Sequence, residues 1–172
     1  MNRVFLVGYM GSGKSTVGKL LAERLGWLFI DLDCFIENRY QKTVSQIFDE
    51  EGEMVFRKME RQMLFEISKL ENAVISTGGG APCFSDNMQE INRRGTSIYL
   101  QLTAENLAAR LQAACIDRPL VRNKTKEELP VFIQEMLLKR EPFYTKASFT
   151  VDNNESNPQA VVDTILNLLP QS

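Results

Sequence analysis

The sequence predicts an α/β fold of three layers, with helices on both faces of a central parallel sheet of five strands. Three observations predict it. Five short apolar runs recur along the chain, and stretches with helical spacing separate most of them. The first run ends in a glycine-rich turn that leads straight into an amphipathic stretch. The 172 residues are 44% hydrophobic and 24% charged, an ordinary balance for a globular chain long enough to bury one full core.

Residues 4–7 are apolar up to Gly8 and read as a buried strand. Residues 14–25 place Val17, Leu20, Leu21 and Leu25 at helical spacing, and Gly26 ends that helix. Residues 27–30 form a second strand, closed by Asp31. Residues 52–70 carry Met54, Phe56, Met59, Met63, Leu64 and Ile67, the stripe of a long amphipathic helix. A third strand at 73–75 enters the turn Gly78-Gly79-Gly80. A fourth strand at 97–102 precedes a helix at 104–111, and a short final strand covers 149–151. The last helix, 158–169, has Asn157 at its N-cap and Pro158 at its first position. Residues 115–128 break the pattern, with charges crowded around Pro119, and read as an exposed mobile loop, either a solvated connector or a functional lid. Thr125 and Glu128 have the spacing of a capping box for the helix that follows, although Pro130 comes soon after.

Composition excludes several chemistries. Lys and Arg number 20 against 22 Asp and Glu, so the net charge of −2 gives no global attraction to nucleic acid or anionic membrane. With no histidine in the chain, Ser-His-Asp, Cys-His and His-metal sites are ruled out. Cys34, Cys83 and Cys115 are odd in number and form no CxxC pair, so they read as reduced thiols that pack as small buried hydrophobes. The N-terminal apolar run is too short for a signal segment or a membrane span, and a cytoplasmic location is expected. No surplus apolar face is evident, and a monomer is expected.

Gly8-Tyr9-Met10-Gly11-Ser12-Gly13-Lys14-Ser15 is a complete G-x-x-x-x-G-K-S phosphate loop between a strand and a helix. Its glycines let successive N–H groups turn inward, and the helix that follows adds the positive end of its dipole. Lys14 supplies a mobile charge to β/γ-phosphates, and the Ser15 hydroxyl is a ligand for Mg²⁺. Purine triphosphate binding with Mg²⁺ follows. Were the loop only a link between strand and helix, it would need neither residue.

The third strand ends in glycines rather than an acid, whereas the second ends Asp31-Leu32-Asp33. Extended backbone through Asp33 would put both carboxylates on one face at the carboxyl edge of the sheet, where open α/β sheets bind ligands. One acid then serves the metal and the other an acceptor hydroxyl. Asp33 as the N-cap of a following helix is the alternative. Arg57 has two readings as well, a binding cation or a helix-surface partner of Glu53 and Glu60. GTPase switching needs an N-K-x-D motif, and Asn123-Lys124-Thr125-Lys126 lacks the Asp. The HRD and DFG motifs of protein kinases are absent.

In these residues the chain resembles the shikimate kinase family, small P-loop kinases of the nucleoside-monophosphate-kinase-like group. The resemblance spans nearly the whole chain. Five blocks carry it in order: the phosphate loop; Asp31-x-Asp33; Phe48 with Gly52-Glu53, Phe56-Arg57 and Glu60; Gly78-Gly79-Gly80; and Arg118-Pro119-Leu120 with Arg140-x-Pro142-x-Tyr144. Val151-Asp152 and Asn157-Pro158 fit the family's adenine-side pattern.

The resemblance implies a single P-loop kinase domain over residues 1–172, with a mobile lid at about 112–128 and a shikimate-binding region at about 33–61. It implies that ATP and shikimate give ADP and shikimate 3-phosphate, a step toward chorismate and the aromatic amino acids, with Mg²⁺ as cofactor. ATP falls to Gly11, Ser12, Gly13, Lys14, Ser15, Thr16, Arg110, Arg118 and Pro158. Shikimate falls to Asp33, Arg57, Gly79, Gly80 and Arg140, and the metal to Ser15 and Asp31. Lys14, Asp33 and Arg118 are the implied catalytic residues, with Glu60 buttressing Arg57. The alternatives are a related small-molecule kinase, such as a gluconate kinase, and a nucleotide-binding regulator without turnover.

Overall fold

The computed structural model describes residues 2–114, 121, 123–155 and 157–170. Five strands, β1 (Arg3–Val7), β2 (Leu28–Asp31), β3 (Ala73–Ser76), β4 (Thr96–Gln101) and β5 (Phe149–Asp152), form one sheet in the order β2-β3-β1-β4-β5. Every neighbouring pair is parallel, with Phe5 opposite Ile75 on one side of β1 and Ser97 on the other. The period of two along β1 divides the core. Val4 and Leu6 face α1 (Lys14–Leu25) and α8 (Pro158–Leu168), where Val17, Leu21, Val162 and Ile165 are fully buried. Phe5 and Val7 face the opposite layer, packed with Leu32, Ile36, Phe56, Met63, Ile133 and Tyr144.

That second layer holds α2 (Leu32–Tyr40), α3 (Val44–Glu51), α4 (Glu53–Ile67), α5 (Asn87–Arg94), α6 (Ala104–Ala114) and α7 (Glu128–Tyr144). The expected strands and helices are present, with ends displaced by at most three residues. Gly26 closes α1 at φ 65°. The long helix expected from residue 52 begins one residue later, because Gly52, at φ 83°, is the joint between α3 and α4. Thr125 and Glu128 do form the reciprocal capping box: the Thr125 N–H donates to Glu128 Oε2 at 3.0 Å, and the Glu128 N–H to Thr125 Oγ1 at 3.2 Å. Pro130 fits the first turn of α7, where no backbone donor is needed.

Extension through Asp33 does not occur. β2 stops at Asp31, which becomes the N-cap of α2 and accepts the Cys34 N–H at 3.2 Å on Oδ1. Asp33 lies in the first turn of that helix. Cys34 is exposed rather than buried, Cys83 is half-buried against the core, and Cys115 lies outside the described residues. No helix among the described residues is long and apolar enough to cross a membrane.

Candidate active site

The carboxyl ends of β1, β2 and β3 meet in a cleft of about 380 Å³. Its floor is the phosphate loop. Gly8, Gly11 and Gly13 have φ of 144°, 79° and 91°, and at Gly8 a Cβ would lie 2.8 Å from the Leu100 carbonyl oxygen. Lys14, only 7% exposed, donates from Nζ to the carbonyls of Gly8 at 2.9 Å and Tyr9 at 2.8 Å. The Asn153 side-chain amide donates to the Ser12 carbonyl at 2.8 Å and ties the loop to the end of β5. Arg110 donates to the Asn153 carbonyl at 2.7 Å and lines the same cleft.

Asp31 serves two neighbours at once. While its Oδ1 caps α2, its Oδ2 accepts the Ser15 hydroxyl at 2.6 Å. The pair places two hard oxygen donors side by side on the cleft wall, a donor set that fits Mg²⁺. Among the described residues there is no cluster of three or more acidic or thiol side chains that would make a stand-alone metal cage. Mg²⁺ in a P-loop site takes its remaining ligands from phosphate and water.

A second recess opens beside the first, and Met10, Asp33, Gly78 and Gly79 line both. It is walled by Phe48, Phe56, Arg57, Glu60, Gly80 and Arg140. Arg57 is 7% exposed, and its guanidinium carbon stands 4.5 Å from the Phe84 ring centre and 5.3 Å from that of Phe56. Glu60 Oε2 accepts from Arg57 Nη1 at 2.7 Å, and Glu53 accepts from Nη2 at 3.2 Å. Both readings of Arg57 therefore meet in one side chain, paired along its helix and facing the recess. Burial pushes the Glu60 carboxyl up to about 7, against the pull of Arg57 in the other direction. Its Oε1 is buried without a hydrogen-bond partner among the described residues.

The glycine turn after β3 is needed by what crowds it. A Cβ on Gly78 would meet Glu60 Oε1 at 2.7 Å and Asp33 Oδ1 at 3.1 Å. A Cβ on Gly80 would meet Arg57 Nη2 at 2.3 Å. From α7, Tyr144 donates its hydroxyl to the Gly79 carbonyl at 2.5 Å, and Arg140 lies one turn before it at 6% exposure.

Of the residues expected to form the site, Gly11, Gly13, Lys14, Ser15, Thr16, Asp31, Asp33 and Arg110 line the larger recess. Asp33, Arg57, Gly79, Gly80 and Arg140 line the smaller. Ser12 is buried in the loop. Pro158 is the first residue of α8 and does not line the main cleft, although Asn157 and Asn153 flank a separate hollow beside it. Arg118, with Arg118-Pro119-Leu120, lies outside the described residues. Three participants escaped the sequence reading. Asn153 and Phe84 belong to no motif, and Tyr9 occupies a position that the loop pattern leaves open to any residue.

Comparison with known proteins places the chain in a family. The family model described as shikimate kinase matches residues 10–170. A shikimate kinase of Parabacteroides distasonis is 54% identical over 169 residues, which cover 98% of each chain. A 1.7 Å crystal structure of shikimate kinase from Bacteroides thetaiotaomicron superposes with a TM-score of 0.92 at 45% identity, covering 97% of each chain. Shikimate kinase from Acinetobacter baumannii in complex with shikimate superposes at 0.91 with 34% identity, covering 98% of this chain and 92% of that one. A gluconokinase from Sinorhizobium meliloti reaches 0.59 at 15% identity, a likeness of fold alone. A match in sequence and in structure along almost the whole chain leaves one assignment: it belongs to the shikimate kinase family.

Proposed function

We propose that the chain transfers the γ-phosphoryl group of ATP to the 3-hydroxyl of shikimate, releasing ADP and shikimate 3-phosphate. The observation that carries this reading is the pair of recesses that meet at Asp33. One is built for phosphates, and the other holds two buried guanidinium groups. A buried arginine that faces a small polar recess suits a carboxylate, which its fork grips through two parallel hydrogen bonds. Arg57 and Arg140 hold the shikimate carboxylate. Gly79 and Gly80 admit the ring close to the backbone, and Asp33 orients the 3-hydroxyl toward the nucleotide.

Transfer is direct and in line. The acceptor oxygen forms a bond to the γ-phosphorus as the bond to the β–γ bridging oxygen breaks. Asp33 Oδ takes the hydroxyl proton and passes it to solvent. Lys14 and the loop N–H groups offset the charge that accumulates on the phosphoryl oxygens. Ser15 and Asp31 would hold Mg²⁺, which neutralises charge on the β- and γ-phosphates when bound. Arg110 and the Pro158 region flank the adenine. Residues 112–128 act as the lid of a single domain, and Arg118 within it adds a further positive charge to the transferring group. The same reading takes the chain as a cytoplasmic monomer that acts on two small molecules.

ADP release with ATP and either shikimate or gluconate tests the proposal. Shikimate-dependent release is expected, and Asp33→Asn lowers it by at least a hundredfold while the affinity for ATP stays within about threefold. Preferential turnover of gluconate, or full turnover by Asp33→Asn, would overturn it.

A further inference from the structure

Arg140 is a charge almost removed from water, and such a charge needs compensation. Its own helix provides part. The Tyr144 phenol lies beside the guanidinium, held there by its hydrogen bond to Gly79 and by the Tyr99 ring at 5.1 Å. Glu60 and Cys83 also lie within electrostatic reach of the guanidinium, and a further contact comes from across the molecule. Tyr9, in the phosphate loop, presents its ring to Arg140, with 5.3 Å between ring centre and guanidinium carbon.

Tyr9 is 1% exposed, yet its hydroxyl has no hydrogen-bond partner among the described residues. Phenol chemistry at the oxygen therefore does not explain its place. The ring face does, because a desolvated guanidinium is attracted to the negative face of an aromatic ring. The backbone of the same residue works for the other substrate: its carbonyl accepts the Lys14 ammonium. Arg140 Nη1, buried and unpartnered among the described residues, lies at Gly79, 3.4 Å from where a Cβ there would be. Arg140 thus lines the acceptor recess with hydrogen-bonding capacity to spare on its guanidinium.

We propose that Tyr9 is a positioning residue for the acceptor, its ring holding the Arg140 guanidinium at the recess that takes the carboxylate of the incoming shikimate. One residue of the nucleotide loop then serves both halves of the site. The proposal rests on the reading of Arg140 as a carboxylate grip.

Steady-state kinetics of the full chain, with each substrate varied, tests it. Tyr9→Leu is expected to raise the KM for shikimate by about three- to thirtyfold, the span of a cation–ring contact, with kcat and the KM for ATP within twofold. Tyr9→Phe keeps the ring and is expected to hold the shikimate KM within twofold of the parent. Arg140→Met raises that KM, and adding Tyr9→Leu to it raises it little further, because the two residues act as one unit.

The outcomes separate. If Arg140→Met leaves the shikimate KM unchanged, the reading of Arg140 fails and the proposal falls with it. If Arg140→Met raises the KM while Tyr9→Leu leaves it alone, or raises the KM for ATP equally, Tyr9 has no positioning role and the reading of Arg140 stands. A Tyr9→Phe variant with a raised shikimate KM would also overturn the ring-face account, and that variant remains informative even if Tyr9→Leu does not fold.

Discussion

Glu60 is the residue on which burial and charge conflict most directly. It is 1% exposed, with one oxygen on Arg57 and the other unpartnered among the described residues. In the unfolded chain its carboxyl titrates near 4.5, and in the folded chain near 7. Between those values the folded protein holds a proton that the unfolded chain has lost. The stability gained from this residue is therefore complete below pH 4.5 and is lost as the pH rises through about 7. The amount is on the order of 3 kcal/mol. Glu60→Gln removes the titration and keeps an oxygen for Arg57, so thermal unfolding of that variant is expected to fall less between pH 5 and 8 than that of the parent. Equal slopes would refute the assignment. At this scale the sequence was most informative where chemistry demands one residue type. Lys14 and Ser15 were legible from spacing alone, whereas the spacing of Asp31 and Asp33 pointed to the cleft through an extended backbone that the chain does not adopt. The arginines of the acceptor recess were legible only through family blocks, since Arg57 and Arg140 on a helix look like ordinary surface charges. Asn153 gave no signal, because its contact with Ser12 spans most of the chain.

At the scale of elements, legibility followed punctuation. The bounds of α1 were read without error because Gly13 and Gly26, both at positive φ, mark its ends. α2 enters the sequence analysis only as the helix that Asp33 would cap, because the alternation Ile30-Asp31-Leu32-Asp33 fits an extended strand end equally well; Asp31, not Asp33, passes the chain from strand to helix through its own side chain. The signal for α3 was present: Thr43 and Gln46 stand at capping-box spacing, and both reciprocal hydrogen bonds form. The turn between β3 and the short 3₁₀ segment Ala81–Cys83 yields a prediction of its own. Gly80 has φ −89°, which any residue adopts, so its smallness answers to the Arg57 guanidinium and not to the backbone. Gly80→Ala is expected to displace Arg57 and raise the KM for shikimate by at least about tenfold, with little effect on the KM for ATP. A matching rise for ATP would place the fault in the phosphate loop instead.

For the molecule as a whole, alternation of strands and helices predicted a parallel sheet but could not order it. Placing β1 between β3 and β4 depends on packing across distant segments, which leaves no periodic trace. The two core layers bind the phosphate loop, the acid pair and α7 into one rim. Binding of the acceptor there is expected to stabilise the entire fold. Shikimate at a hundred times its dissociation constant contributes about 2.7 kcal/mol, which corresponds to a rise in Tm of roughly 5–10 °C for a chain of this size. Differential scanning calorimetry with and without shikimate measures it, and an unchanged transition would count against the recess as the acceptor site.

The central place of β1 also bears on the birth of the protein. On the ribosome Arg3 must wait for Ala73, and Val4 for Thr96, before either edge of that strand finds its neighbour. Through much of translation the most water-averse stretch of the nascent chain therefore has no sheet to join. Its protection in that interval falls to α1, to chaperones or to speed of synthesis.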